Sequence, residues 1–110
     1  MATGRLGTAN ITTTANTTVY TVPVSTFSVV SVNVVNRSSS ASAQIRIAVS
    51  SSATPGVDEF IEYDSNLVAN GVLERTGIVM DETNKYIVLQ TPTAAPTLSV
   101  VVYGIETSTA

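Results

Sequence analysis

The one cluster of groups in this sequence that could do chemistry is acidic: Asp58, Glu59, Glu62 and Asp64, within the segment DEFIEYD. On a β-strand, where side chains alternate, Asp58, Glu62 and Asp64 would share a face. Three carboxylates on one face could offer oxygen ligands to a hard cation such as Ca²⁺. Paired carboxylates could also run glycoside hydrolysis, which requires a substrate cleft and an acid of raised pKa. The chain has no Trp and few aromatic residues to line a sugar subsite. The plainer readings are a solvated acidic face, ion pairs to Arg46 or Arg75 on a neighbouring strand, or salt bridges between subunits. A solvated surface is the expectation, with no metal and no cofactor.

The rest of the chemical inventory is sparse. There is no His and no Cys, which removes the usual nucleophile–base pairs, thiolate metal sites and any disulfide framework. The serines therefore lack a partner base and read as turn and surface residues. No Gly-rich phosphate loop precedes a helix. The five basic residues, Arg5, Arg37, Arg46, Arg75 and Lys85, are scattered, so there is no patch to neutralise nucleic-acid phosphates. The expectation is a protein that is not an enzyme and has no nucleic-acid, membrane or small-molecule partner.

What must be positioned is therefore a set of surfaces. The longest apolar run, FSVVSVNVVN from Phe27 to Asn36, is β-branched and carries valine on both faces. Val30, Val32 and Val34 fall on one side; Phe27, Val29 and Val35 fall on the other. β-Branched residues pack well on a pleated sheet, and a strand apolar on both faces is covered on both. It is expected centrally in a sheet or in a subunit contact. Residues 98–105 repeat the pattern, with Val100 and Val102 opposed to Val101, Tyr103 and Ile105. Their outer faces lie either under the protein's own loops or between identical subunits.

Around these, residues 17–24 read as a strand that either ends at Pro23 or lies at a sheet edge, since Pro23 cannot donate a ladder hydrogen bond. Residues 43–50 show clean alternation, with Ala43, Ile45, Ile47 and Val49 on one face and Gln44, Arg46, Ala48 and Ser50 on the other. Residues 58–64 and 86–91 read as further strands. Asn70-Gly71 predicts a type I′ hairpin joining 61–69 to 72–80. Residues 1–16, rich in Gly, Ala and Thr with Leu6 and Ile11 as anchors, read as an extended arm, either frayed or laid across a neighbour. The arm, one β-sandwich domain over 17–106 and a loose tail at 107–110 make up the expected organisation. Seven or eight strands about ten residues apart, without helical periodicity, predict an all-β, antiparallel, jelly-roll-like sandwich.

Charged residues are 12% of the 110, the net charge is −3, and Ser and Thr supply much of the polarity. Little repulsion between copies suits an assembled protein. The N-terminus lacks the apolar core of a signal peptide, and no run approaches membrane-spanning length, so assembly in a cytosol is expected.

GRLGTANI at 4–11, YTVP at 20–23, VNVVNR at 32–37, IRIAVS at 45–50, EFIEYD at 59–64, NGVLERTGIVMD at 70–81 and VYGIE at 102–106 resemble a group of small virion structural proteins. These belong to tailed phages, notably of marine and cyanobacterial hosts. The resemblance implies an all-β particle component without an active site, located in the virion. Within that group a capsid decoration, or cement, protein is expected, contacting the major capsid protein and itself as a dimer or trimer. Candidate assembly contacts are Arg5, Leu6, Ile11, Phe27, Val29, Val35, Val101 and Tyr103. The alternatives are a tail, neck or fibre module, or a carbohydrate- or host-surface-binding module using the acidic cluster with Tyr20, Tyr63, Tyr86 and Tyr103.

Overall fold

A computed structural model describes residues 2–109, and among them eight strands and no helix. In chain order these are β1 (Thr3–Ile11), β2 (Thr17–Thr21), β3 (Thr26–Asn36), β4 (Ala43–Ser50), β5 (Phe60–Leu67), β6 (Val72–Met80), β7 (Tyr86–Gln90) and β8 (Leu98–Ser108). They form two four-stranded antiparallel sheets, ordered β1-β8-β3-β6 (sheet A) and β2-β7-β4-β5 (sheet B). Only β4 and β5 are consecutive strands that pair; every other link crosses between sheets. This is the jelly-roll form of the sandwich.

The core follows from alternation. Val30, Val32 and Val34 of β3 and Leu98, Val100 and Val102 of β8 point inward and meet Ile45, Ile47, Ile87 and Leu89 of sheet B, all fully buried. As expected, β3 lies inside a sheet, between β8 and β6. The alternation in β4 is interrupted: Ala48 and Ser50 are buried while Val49 is only half-buried. Ala48 is short and lies between Val88 of β7 and Phe60 of β5, so larger neighbours on its own face cover it.

Three expectations change. The stretch 3–11 is extended but not free, because β1 is an edge strand paired with β8 from Thr3–Ile105 to Ile11–Leu98. Gly7 lets it lie against β2, where a Cβ would come within 2.2 Å of the Val19 carbonyl oxygen. The expected tail is likewise part of the sheet through Ser108, which pairs with Thr26; residues 1 and 110 lie outside the described residues. Asn70-Gly71 makes a turn but no hairpin. Asn70 alone has positive φ, at 59°, and the Gly71 N–H donates to the Val68 carbonyl oxygen at 2.9 Å. The turn carries the chain from β5 in sheet B to β6 in sheet A. It is held from outside by Asn36, whose buried side-chain amide donates to the carbonyls of Ala41, Leu67 and Val68.

Since residues 3–11 complete sheet A, removing residues 1–16 strips a strand from β8 and uncovers core. The truncated chain should unfold at lower denaturant than the full chain or fail to fold, as read by circular dichroism and urea titration. An unchanged midpoint would mean that the segment is an arm after all.

Candidate functional site

The acidic cluster is dispersed by the strand that carries it. Two register shifts in the β4–β5 pairing each place an extra residue in β5, and Asp64 sits at one of them with φ 54°. A bulge re-aims the side chains beyond it, so Asp58, Glu62 and Asp64 do not share a face. Asp64 receives Arg46, with Nε at 2.6 Å and Nη2 at 3.3 Å. Arg46 also donates to Gln90 at 3.2 Å and lies 4.2 Å from the centroid of the Tyr63 ring. Glu62 turns to the other sheet and accepts from Arg75 of β6 at 2.6 Å and from the Ser65 hydroxyl. Arg46 and Arg75 thus each take one carboxylate of β5 from a neighbouring strand, where a solvated acidic face was expected, and both ion pairs lie within one chain.

Glu59 has a different task. Its carboxylate accepts from the backbone N–H of Gly56 at 2.7 Å and of Ser51 at 3.1 Å, and from the Ser50 hydroxyl at 2.9 Å, closing the loop before β5. Those donors, Gly56 foremost, hold its carboxyl below the usual range. Among the described residues no three His, Cys, Asp or Glu side chains group as metal ligands. The tyrosines are scattered too. Tyr20 is buried at one end of the core, Tyr63 lies outside sheet B over Arg46, and Tyr103 lies outside sheet A.

Sequence reasoning missed the buried polar end of the core. The Tyr20 hydroxyl donates to Glu106 at 2.6 Å across 86 residues of sequence, and both residues are buried. Burial and then this carboxylate push Tyr20 up to about 12. Ser28, directly opposite Glu106 in the β3–β8 register, is fully buried, and its hydroxyl lies near the phenol without completing a hydrogen bond. Nothing local in YTVP or VYGIE announces this pairing.

The candidate assembly contacts divide clearly. Ile11 is 2% exposed and Leu6 packs against the core, so both are interior residues whose apolar character serves the fold. Arg5, Phe27, Val29, Val35, Val101 and Tyr103 all fall on the outer face of sheet A, as their register shows. Val79 and Ile105, which the sequence reading did not single out as contacts, belong with them. Thr3, Ile105, Val29 and Val79 form one rung across all four strands, with Val79 71% and Ile105 50% exposed. The Tyr103 hydroxyl reaches across β3 and donates to Glu74 of β6, which raises its pKa. The protein's own loops therefore leave this apolar rung open. At the same end of the sandwich, the tips at Val24 and Val57 are 83% and 96% exposed. The pocket at the other end, about 110 Å³ between loops 37–42 and 91–97, is lined by small Ser, Ala and Thr residues and a satisfied Asn36. It holds no group that could do chemistry.

Two titrations follow. Glu59 is lowered on folding, so its contribution to stability is present above the ordinary carboxylate range and is lost as pH falls through its folded value. Glu59→Gln should lower the melting temperature at pH 7, and the gap to the parent should narrow as pH falls below the ordinary carboxylate range. Tyr20 is raised, so its contribution is full below pH 10 and fades as pH rises toward 12. The parent should lose stability over that window in urea titrations, and Tyr20→Phe should flatten the loss.

No protein-family model matches the chain, and no curated protein matches it. Among solved structures it is similar to the coat protein of Tobacco streak virus, with 10% identity over 94% of this chain and 81% of that one, at a TM-score of 0.43. It is also similar to the capsid asymmetric unit of cyanophage Pam1, with 16% identity over 96% of this chain and 88% of that one, at a TM-score of 0.42. Likenesses this distant carry no argument about function, and the two sheets speak for the fold on their own.

Proposed function

We propose that this protein is a non-enzymatic structural component of a phage virion, acting as a decoration protein on the outer surface of the head. The observation that carries the reading is the outer face of sheet A. A row of apolar side chains stands exposed on a four-stranded sheet, while the described carboxylates of β5 are spent on ion pairs inside the chain. Exposed apolar rows on a framework without reactive groups serve contact rather than turnover. The resemblance of the sequence to small virion proteins of tailed phages supplies the particle.

Contact with the major capsid protein falls to the exposed tips at Val24 and Val57 rather than to residues 3–11, which are held in sheet A. Each contact is modest, and stabilisation comes from the many copies on one shell. The tyrosines and carboxylates do not converge on one surface, so a carbohydrate-binding role has no site to rest on.

Gold-labelled antibody against the purified chain should mark the heads of virions grown from the genome that carries this gene. Label confined to tails or necks would move the protein to a tail module. Virions without label would overturn the particle role.

A further inference from the structure

Resting on that reading of sheet A as an assembly face, we infer that its occupant is another copy of this chain, docked around a rotation axis that runs along the strands. Three observations lead there.

The sheet edges are closed to partners. All five register shifts in the molecule occur in pairings that involve an edge strand, and in each the extra residue lies in the edge strand itself: β1, β2, β5 twice, and β6. Bulges twist an edge away from regular pairing. Association by adding strands is therefore disfavoured, which leaves the faces.

The outer face of sheet A is apolar at both ends, with Val35 and the exposed Val72 paired where β3 finishes and a wider group where it begins. Phe27, Val29, Val79 and Ile105 lie together where β3 begins and β8 finishes. An axis along the strands keeps every rung at its own height, so the apolar rung of one copy meets that of the next. An axis across the strands would set it against the Val35–Val72 end instead, so the choice between the two axes falls to the charges.

The unpaired charges fit the same axis. Arg5 on β1 and Glu74 on β6 are exposed, and neither has an ion-pair partner among the described residues. They stand at opposite edges of sheet A. Arg5 lies level with Ser31, through Tyr103, and Glu74 is level with Asn33. Their rungs are two residues apart, about 7 Å along the strand, within the reach of the two side chains. Rotation about the strand direction carries the β1 edge of one copy to the β6 edge of the next, and so brings Arg5 to Glu74. Two copies face to face or three around a threefold both satisfy this geometry.

Light scattering and sedimentation of the full chain over a concentration series test it. A dimer or trimer is expected, and Val79→Glu should return it to monomer without loss of the β-sheet circular dichroism spectrum. Arg5→Glu and Glu74→Arg should each weaken association about tenfold, and the double variant should recover most of that loss. A chain that stays monomeric up to its solubility limit overturns the inference. So does an oligomer indifferent to Val79→Glu, or one in which the double charge reversal restores nothing. The virion reading is judged separately: a monomer whose antibody still marks virions would sink self-association through this face and leave the particle role standing.

Discussion

The structure depends on one uninterrupted pairing. From Thr26–Ser108 to Asn36–Leu98, β3 and β8 match residue for residue over eleven positions without a bulge. A slip of β3 by one residue would turn Val30, Val32 and Val34 outward and bring Phe27, Val29 and Val35 into the core. The valine rows therefore fix the register by burial alone. Gly104 adds a steric constraint. It lies opposite Val30, and a Cβ on it would come within 2.1 Å of the Val29 carbonyl oxygen. The same register aligns Ile105 with Val29 on the outside, so the pairing that builds the core also builds the exposed rung.

Irregularity is displaced outward from this pair. The inner pairings β3–β8 and β4–β7 are regular, whereas the four pairings that reach an edge strand each contain a shift. A sandwich with four open edges offers unpaired N–H and C=O groups to any passing strand. Here bulges interrupt those rows while the inner strands stay straight. A protein with few charges has particular need of this, because charge repulsion does little to keep wrong contacts apart. The faces can then be apolar without the edges nucleating aggregation.

The same division explains what could be read from the sequence. Fold class was legible because it rests on period-two alternation, which is strong in β3, β4 and β8. Topology was not. Asn70-Gly71 has the composition of a hairpin turn, but whether a turn joins strands in one sheet or crosses to the other is decided by long-range burial. Strand β1 was hidden because Gly4, Gly7 and Asn10 are poor strand formers that an edge position tolerates. Bulges are invisible to alternation, and for that reason the carboxylates of β5 seemed to share a face. The split of β3 and β8 into two faces was legible too, with Phe27, Val29, Val35, Val101 and Tyr103 opposite the core valines, because apolar residues on the wrong side of an amphipathic strand show in the pattern. Ile11 was misplaced because one apolar residue in a polar segment cannot show whether its own core or a neighbour receives it.

The two flanks of the sandwich are sealed by different means. Between β1 and β2, the backbone at Gly7 approaches the Val19 carbonyl so closely that no side chain fits, and Val19, Tyr20 and Ile11 fill the space behind. Between β6 and β5, the closure is the Arg75–Glu62 ion pair, whose arginine side chain is 42% exposed. A half-exposed ion pair contributes about 0–1 kcal/mol, whereas a packed apolar seam must be opened against the full cost of exposing it. Local opening should therefore begin on the β5–β6 flank. Glu74 and Val79 lie on that same flank. That part of sheet A is the part held least tightly by its own chain, so a contact there would have the most order to add.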